Sequence, residues 1–357
     1  MMGFTYDSMG QSRGPKRQKY GHSKSKKGNK KQSSYKGGAG KRSYGGGGNR
    51  EYWTVGFSFN SMNYFGDLSP GTGKVSSDVK LTNLGVGVTG SYVLGPGLFA
   101  RAAFNIGAIE GNDFNTKDPG GDASNRGRYS RNLQFKNLIK ELTLGFEFDV
   151  FPNNNGARGR FPINPYLFGG VGIIHHAPKA IAPEFDQAGN PTGAGGDWVD
   201  LRSLGTEGQN IEESGKSPYK KFEFVIPAGL GVKIRLPANF DLNFEIGIRY
   251  LFTDYLDDVS DTYADLALFG DASSEEANLA RAMSERGAEP TNLMTGSERN
   301  TEYYNANPSG PYVVGDGYAP AIEGSRGGPG QNDFYVISQL RLVYIFDSKG
   351  SSRGKFR

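Results

Sequence analysis

FEFVIPAGLGVKIRLPANFDLNFEIGIRYLF, residues Phe222 to Phe252, reads as two strands and the turn between them. Successive side chains of an extended chain point to opposite sides. Phe222, Phe224, Ile226, Ala228, Leu230, Val232 and Ile234 therefore share one face, and Glu223, Gly229, Gly231, Lys233 and Arg235 share the other. After Pro237-Ala238 the pattern resumes, with Leu242, Phe244, Ile246, Ile248, Tyr250 and Phe252 opposite Asp241, Asn243, Glu245, Gly247 and Arg249. A period of two sustained this long is a strand signal and excludes a helix.

The same alternation recurs at 52–65, 84–95, 98–110, 133–151, 163–176, 220–236, 239–254 and 333–347, giving eight predicted strands. Gly95-Pro96-Gly97 and Pro237-Ala238 make very short turns, and Pro152 to Pro162 makes a moderate one. The other links run to about 18, 22, 43 and 78 residues, so long and short connections alternate and all the long ones emerge at one end. Short turns at one end, long loops at the other and an even antiparallel strand count describe an all-β, eight-stranded transmembrane barrel with long extracellular loops. Closure also leaves no strand edge unpaired in lipid.

Composition agrees. The chain has 357 residues, of which 54 are glycine, 36% are hydrophobic and 12% are aromatic, and no run nears the ~20 apolar residues of a membrane-spanning helix. With no cysteine there is neither a disulfide nor a thiol nucleophile, and three histidines make a structural zinc site improbable. The net charge of +4 conceals a division, because residues 1–50 hold 13 Lys/Arg against one Asp while the remainder is net acidic. Residues 1–50 are expected to form a disordered, basic, Gly/Lys-rich arm, 51–347 the barrel, and 348–357 a basic C-terminal tail. Residues 1–50 contain no apolar core of 7–15 residues such as a secretory leader carries, so a processed or altered start is expected. The arm's cations and tyrosines would suit nucleic acid. Its entry on the short-turn side predicts a periplasmic position instead, away from any nucleic acid.

In lipid the apolar faces point outward and the polar faces into the lumen. Arg101, Glu141, Glu147, Asp149, Glu223, Lys233, Arg235, Glu245, Arg249 and Arg341 are then inward and balanced in sign, and burial demands that they pair. The expected lumen is filled by charge pairs and hydrogen bonds, with no open pore. Tyr52, Trp53, Tyr64 and Phe65, near the two ends of the first strand, are expected in the interfacial aromatic girdles.

GDWVDLRSLGTEGQ, from Gly196 to Gln209, interleaves Trp198, Leu201 and Leu204 with Arg202, Thr206 and Glu207, and is expected to fold across the barrel mouth. Asp254, Asp257, Asp258, Asp261 and Asp265 cluster at the start of the last loop as a solvated acidic rim, their spacing unlike that of an EF-hand. Ser273 and Glu276 have capping-box spacing, predicting a short helix at about 274–286. His175 and His176 end the fifth strand at the same rim. An Asp254–His pair there would be a candidate for activating water, but adjacent strand residues point apart, and no hydrolase, phosphate-loop or zincin pattern occurs. A non-enzyme without cofactor or metal is expected.

INPYLFGGVGIIHHAPKA (Ile163 to Ala180), WVDLRSLGTEGQ (Trp198 to Gln209), IPAGLGVKIRL (Ile226 to Leu236) and FEIGIRYLFTDYLDDVSDTY (Phe244 to Tyr263) together resemble the PorG family, outer-membrane barrels of the type IX secretion and gliding machinery of Bacteroidota. NYFGDLSP (Asn63 to Pro70) and RNLQFKNLIKELTLGFEFDVFP (Arg131 to Pro152) extend the resemblance over most of 52–347. It implies a non-catalytic barrel in the outer membrane whose periplasmic side, carrying the arm and the C-terminus, engages the ring-forming PorK lipoprotein and PorN. The basic arm is not a feature of that family, so no partner contact is carried onto it. The alternative function is a binding or adhesion barrel that acts through its long outer loops.

Overall fold

The computed structural model describes residues 51–69, 83–115, 128–153, 155–299, 324–328 and 330–347; the expected arm at 1–50 and tail at 348–357 lie outside them. Eight long strands carry the fold: β1 (Tyr52–Phe65), β2 (Leu84–Gly95), β3 (Leu98–Asn112), β4 (Gln134–Asp149), β5 (Ile163–His175), β8 (Phe222–Arg235), β9 (Phe240–Leu251) and β12 (Phe334–Asp347). Each pairs antiparallel with its neighbours in chain order, and β1 pairs with β12 from Tyr52↔Asp347 to Phe65↔Phe334. The sheet is thus a closed eight-stranded barrel, and its backbone polar groups are satisfied strand to strand.

Burial alternates as the sequence does, with polarity inverted relative to a water-soluble sheet. Along β9, Asp241, Asn243, Glu245, Gly247 and Arg249 are buried while Phe244, Ile246 and Ile248 are exposed. Phe59 is 65% exposed and Phe224 70%, within a belt that includes Leu144, Leu167 and Leu342. An apolar surface this continuous is untenable in water and matches the lipid-facing wall of an outer-membrane β-barrel. Among the described residues no helix is long and apolar enough to cross a membrane.

Aromatic residues gather at both ends of this wall. Trp53 packs on Tyr92 and Phe240 on Tyr344 at the short-turn end, and Phe65 stacks on Phe334 at the long-loop end. Tyr52 and Tyr64, expected beside them, instead point into the lumen and are buried. The reason is the strand period itself: of two consecutive residues only one can face lipid.

Beyond the rim, β4 continues past the barrel and pairs with β6 (Pro178–Ile181), which pairs with β7 (Trp198–Asp200). A single helical turn, Leu201–Leu204, follows, its first turn capped by the Asp200 carboxylate and its end by Gly205 at φ 62°. In the last long loop, helix α1 (Glu275–Ser284) forms where the capping pattern put it, followed by the two-residue strands β10 (Thr291–Asn292) and β11 (Ser297–Glu298). The N-cap is Ser274, one residue later than the spacing suggested, and its hydroxyl accepts from the Ala277 N–H.

Inward glycines make room for the large lumen side chains. A Cβ at Gly231 would lie 2.5 Å from Cζ of Tyr166, and one at Gly56 2.8 Å from the methylenes of Arg341.

Candidate functional site

The lumen divides into three levels. At mid-height is a buried, charge-balanced network. The guanidinium of Arg101 lies 2.7 Å from Glu245 and 3.7 Å from Glu147, and Arg341 reaches the other oxygen of Glu245 at 2.7 Å and Glu147 at 3.6 Å. The ammonium of Lys233 binds Glu147 and, at 2.6 Å, Asp149. Nearer the long-loop end, Arg249 pairs with Glu141 at 3.0 Å, and Glu141 also accepts from Asn105 and from the Tyr335 hydroxyl. Arg101 lies over the Phe168 ring and Lys233 over Phe99, so the apolar walls also contact the cations. Four cations meet four carboxylates, which is how so many charges are accommodated away from water.

Eight of the ten inward charges singled out from the sequence therefore come together. Glu223 and Arg235 do not join them, because they sit at opposite ends of β8. Arg235 is exposed and donates to the Arg160 carbonyl, and Glu223 is half-buried at the rim. Arg160, from the β4–β5 connection, takes the place expected of Arg235 by pairing with Asp241 at 3.1 Å. A cavity of about 40 Å³ remains between the network and the short-turn end, lined by Tyr52, Ser91, Asn243 and Arg341 among others. It has room for a few waters and no more.

Above the network, toward the long loops, the lumen becomes apolar. Met62, Tyr64, Ile109, Phe135, Ile139, Ile174, Leu251 and Tyr335 from the strands pack with Leu201, Leu256, Val259 and Met283 from the loops. Over this core the loops interlock through buried polar groups. The Glu207 carboxylate accepts from the backbone N–H of Ser260 at 3.0 Å, from Tyr255 and from Arg326 at 3.2 Å. Asp258 accepts from the hydroxyls of Thr206 and Tyr219 and faces Arg326 at 3.6 Å. Arg326 also donates to the Asp258 and Ser284 carbonyls, so one guanidinium ties three stretches of loop together. Arg131 pairs with Asp113 at 2.8 Å and reaches the carbonyls of Arg326 and Asp67.

The expected rim residues are thus mostly components of this plug. Asp257 and Asp333 both lie within hydrogen-bond distance of the Tyr64 hydroxyl, at 2.6 and 2.9 Å. Burial pushes both carboxyls well above their usual range; Asp67 adds to the rise at Asp257, and Asp257 to that at Asp333. One hydroxyl proton cannot serve two carboxylates fully, which agrees with a proton retained between them. Burial also raises Asp254 to about 7 and Asp258 to about 6, the latter despite Arg326. The rim is therefore interior rather than solvated: Asp254, Asp257 and Asp258 are each under a tenth exposed, and only Asp261 and Asp265 are half-exposed.

Of the mouth signature, Leu201, Thr206 and Glu207 are buried in the plug. Trp198 stands outside it, 42% exposed beneath Lys136, and Arg202 donates to the Tyr219 carbonyl at 2.6 Å. The histidines diverge. His175 packs edge-on against Phe222, while His176 is buried against Tyr219, with burial lowering its pKa to about 4. Asp254 accepts from Ser260 instead, and among the described residues neither imidazole bonds to it. The geometry assembles no Asp–His pair, and no three metal-ligating side chains converge among the described residues. Sequence reading missed Arg326, Arg131, Asp113 and Asp333, which hold the plug. Only the placement of Asp113 and Arg131 at the two ends of one long loop, and of Asp333 just before a strand, offered any signal.

Among solved structures, the chain is similar to Neisserial surface protein A (7% identity, 83% of this chain and 97% of that one, TM-score 0.32). It is similar too to the attachment invasion locus protein Ail of Yersinia pestis (8%, 83% and 97%, TM-score 0.31) and to the outer membrane protein OprG of Pseudomonas aeruginosa (10%, 84% and 96%, TM-score 0.31). No curated protein matches it in sequence. The family described as Domain of unknown function (DUF6089) matches residues 49–190 and 206–279, well over half of the chain and seven of its eight barrel strands, and the protein belongs to that family.

Proposed function

We propose that the protein is a non-catalytic outer-membrane barrel subunit of the type IX secretion and gliding machinery, with its short-turn face in the periplasm contacting the PorK/PorN ring. The observation that carries this reading is the closed lumen: a barrel filled by ion pairs at mid-height and by interlocked loops above leaves no conduit among the described residues. What it offers a machine is a fixed position in the membrane and two faces. The stretches that resemble PorG, Trp198–Gln209 and Phe244–Tyr263, supply Glu207, Asp257 and Asp258 to the plug, so the resemblance extends to the residues that close the barrel. On this reading the basic arm and the C-terminus are periplasmic, and lipid surrounds the wall.

The test is a crosslinked pull-down from outer-membrane fractions using tagged chain with and without residues 1–50, together with a gene deletion. Recovery of ring subunits and loss of sorting-domain cargo secretion are expected. Normal secretion in the deletion strain overturns the reading. A second reading, a binding or adhesion barrel, is favoured by the amount of ordered loop above the rim. It expects normal secretion, and loss of surface binding when Trp198–Gln209 is replaced by a short linker.

A further inference from the structure

Strand β4 carries its outward row of side chains past the top of the apolar wall. From mid-height toward the long-loop end that row reads Leu144, Leu142, Lys140, Leu138 and Lys136, all exposed. Above the rim Lys136 lies directly opposite the exposed Lys179 of β6, and Lys179 lies opposite Asp200 of β7. Alternate residues of a strand share a face, so Trp198 stands on the same outward surface as the three lysines. The Lys136 ammonium lies 6.0 Å from its ring.

Like charges set directly opposite each other, with Cα atoms about 5 Å apart, weaken a pair of strands. The carboxylates nearby do not relieve this pair. Glu110, opposite Lys136 on β3, forms no ion pair among the described residues, and Asp200 caps the Ser203 N–H and faces Lys221 at 4.0 Å. Lys136, Lys140 and Lys179 thus present three ammonium groups without a carboxylate partner among the described residues. On the other side of the barrel the outward surface near the same end is aromatic, with Phe65 stacked on Phe334 and Tyr250 edge-on to Phe252.

The position of these cations selects their ligand. Lys140 follows Leu142 on the lipid-facing row, so the ammonium groups stand where acyl chains give way to headgroups, the level at which tryptophan also settles. A nucleic acid or an acidic protein approaching from solvent would have no use for cations interleaved with Leu138 and Leu142 on that row. The exposed face of Trp198, 42% accessible, offers an apolar platform for the C–H face of a sugar.

We propose that this β4–β6–β7 surface binds the phosphorylated sugar headgroup of a glycolipid in the surrounding leaflet. Lys136 and Lys179 hold one phosphate between them, Trp198 packs on the sugar, and Lys140, four residues or about 14 Å further down the row, meets the far side of the headgroup. The proposal requires the long-loop end to lie in the outer leaflet, and it draws nothing from the secretion reading.

The test is native mass spectrometry of the full chain released from dodecyl maltoside micelles into which lipid A has been titrated, with dephosphorylated lipid A, phosphatidylglycerol and inorganic phosphate as parallel titrants. One lipid A is expected to saturate on the barrel, the dephosphorylated form and phosphatidylglycerol to bind at least fivefold more weakly, and inorganic phosphate not to bind. Lys136→Gln with Lys179→Gln is expected to weaken lipid A binding about twentyfold, because each lysine at an anionic headgroup surface contributes about fivefold. Lys136→Arg with Lys179→Arg should keep the affinity, and Arg235→Gln, exposed at the opposite end, should leave it unchanged. Retained heat-modifiable migration verifies the fold of each variant. Equal binding of lipid A and its dephosphorylated form, phosphatidylglycerol as tight as lipid A, affinity unchanged in the double glutamine variant, or an equal loss in Arg235→Gln overturns the proposal.

Discussion

Arg326 is 2% exposed and satisfies Glu207, Asp258 and two backbone carbonyls at once. Its replacement by alanine strands two carboxylates in the plug, and breaking a buried pair of this kind costs about 3–5 kcal/mol. Limited proteolysis should then cut the loops of Arg326→Ala under conditions that spare the parent, while heat-modifiable migration shows the barrel still closed. Acidity acts on the same groups. The Asp254 and Asp258 carboxyls, raised to about 7 and about 6, bind their protons more tightly in the folded plug than in an unfolded chain, where a carboxyl titrates near ~3.9. Their contribution to stability is therefore fullest below that unfolded value and is lost as pH rises through 6 to 7. Hydrogen exchange of residues 253–261, corrected for intrinsic rate, should show greater protection at pH 5 than at pH 8, and Asp254→Asn should flatten the difference. Equal protection at the two pH values would count against it.

At the scale of elements, β8 and β9 carry two opposite demands on backbone. Gly231 leaves the space that the Tyr166 ring fills, so Gly231→Val should overpack the lumen and lower stability by about 1–3 kcal/mol in urea unfolding from micelles. Ala238, in the turn that joins the two strands, sits at φ 59°, where glycine is at ease and alanine is not. Ala238→Gly should accordingly be neutral or stabilising by up to ~1 kcal/mol in the same assay. Elements of this kind were readable in the chain because their period is local. Asn239 to Phe252 declares its two faces with no reference to anything else, and the structure starts and ends β9 within three residues of the expected limits. The cap at Ser274 was misplaced by one because Ser273 and Ser274 offer equivalent hydroxyls, and only the backbone geometry selects between them. The plug was not readable, because its contacts join residues as far apart as Glu207 and Arg326, 119 positions, and no periodicity reports such a meeting.

For the whole molecule, the wall and the filling impose separate consequences. Lumen charges in balance and a core of loop side chains above them leave no continuous aqueous path among the described residues, so purified protein in planar bilayers should show no steady conductance; a conductance like that of a porin would contradict the filling. Arg249 and Glu141, both essentially unexposed, test the same interior from within. Glu141→Ala alone should cost about 3–5 kcal/mol, whereas Glu141→Leu with Arg249→Met should cost far less, because the penalty belongs to the charge left behind.

The seam between β1 and β12 spans fourteen paired residues, from Tyr52↔Asp347 to Phe65↔Phe334. One partner lies at the start of the barrel sequence and the other at its end, so the first strand keeps an open edge until the ribosome has finished the last one. The outward faces of all the earlier strands are by then already made, apolar and without a bilayer that can accept them singly. The molecule is therefore one that must be escorted unfolded and closed in a single late event, and a chain that lacks β12 would fail in transit rather than arrive as a weaker barrel.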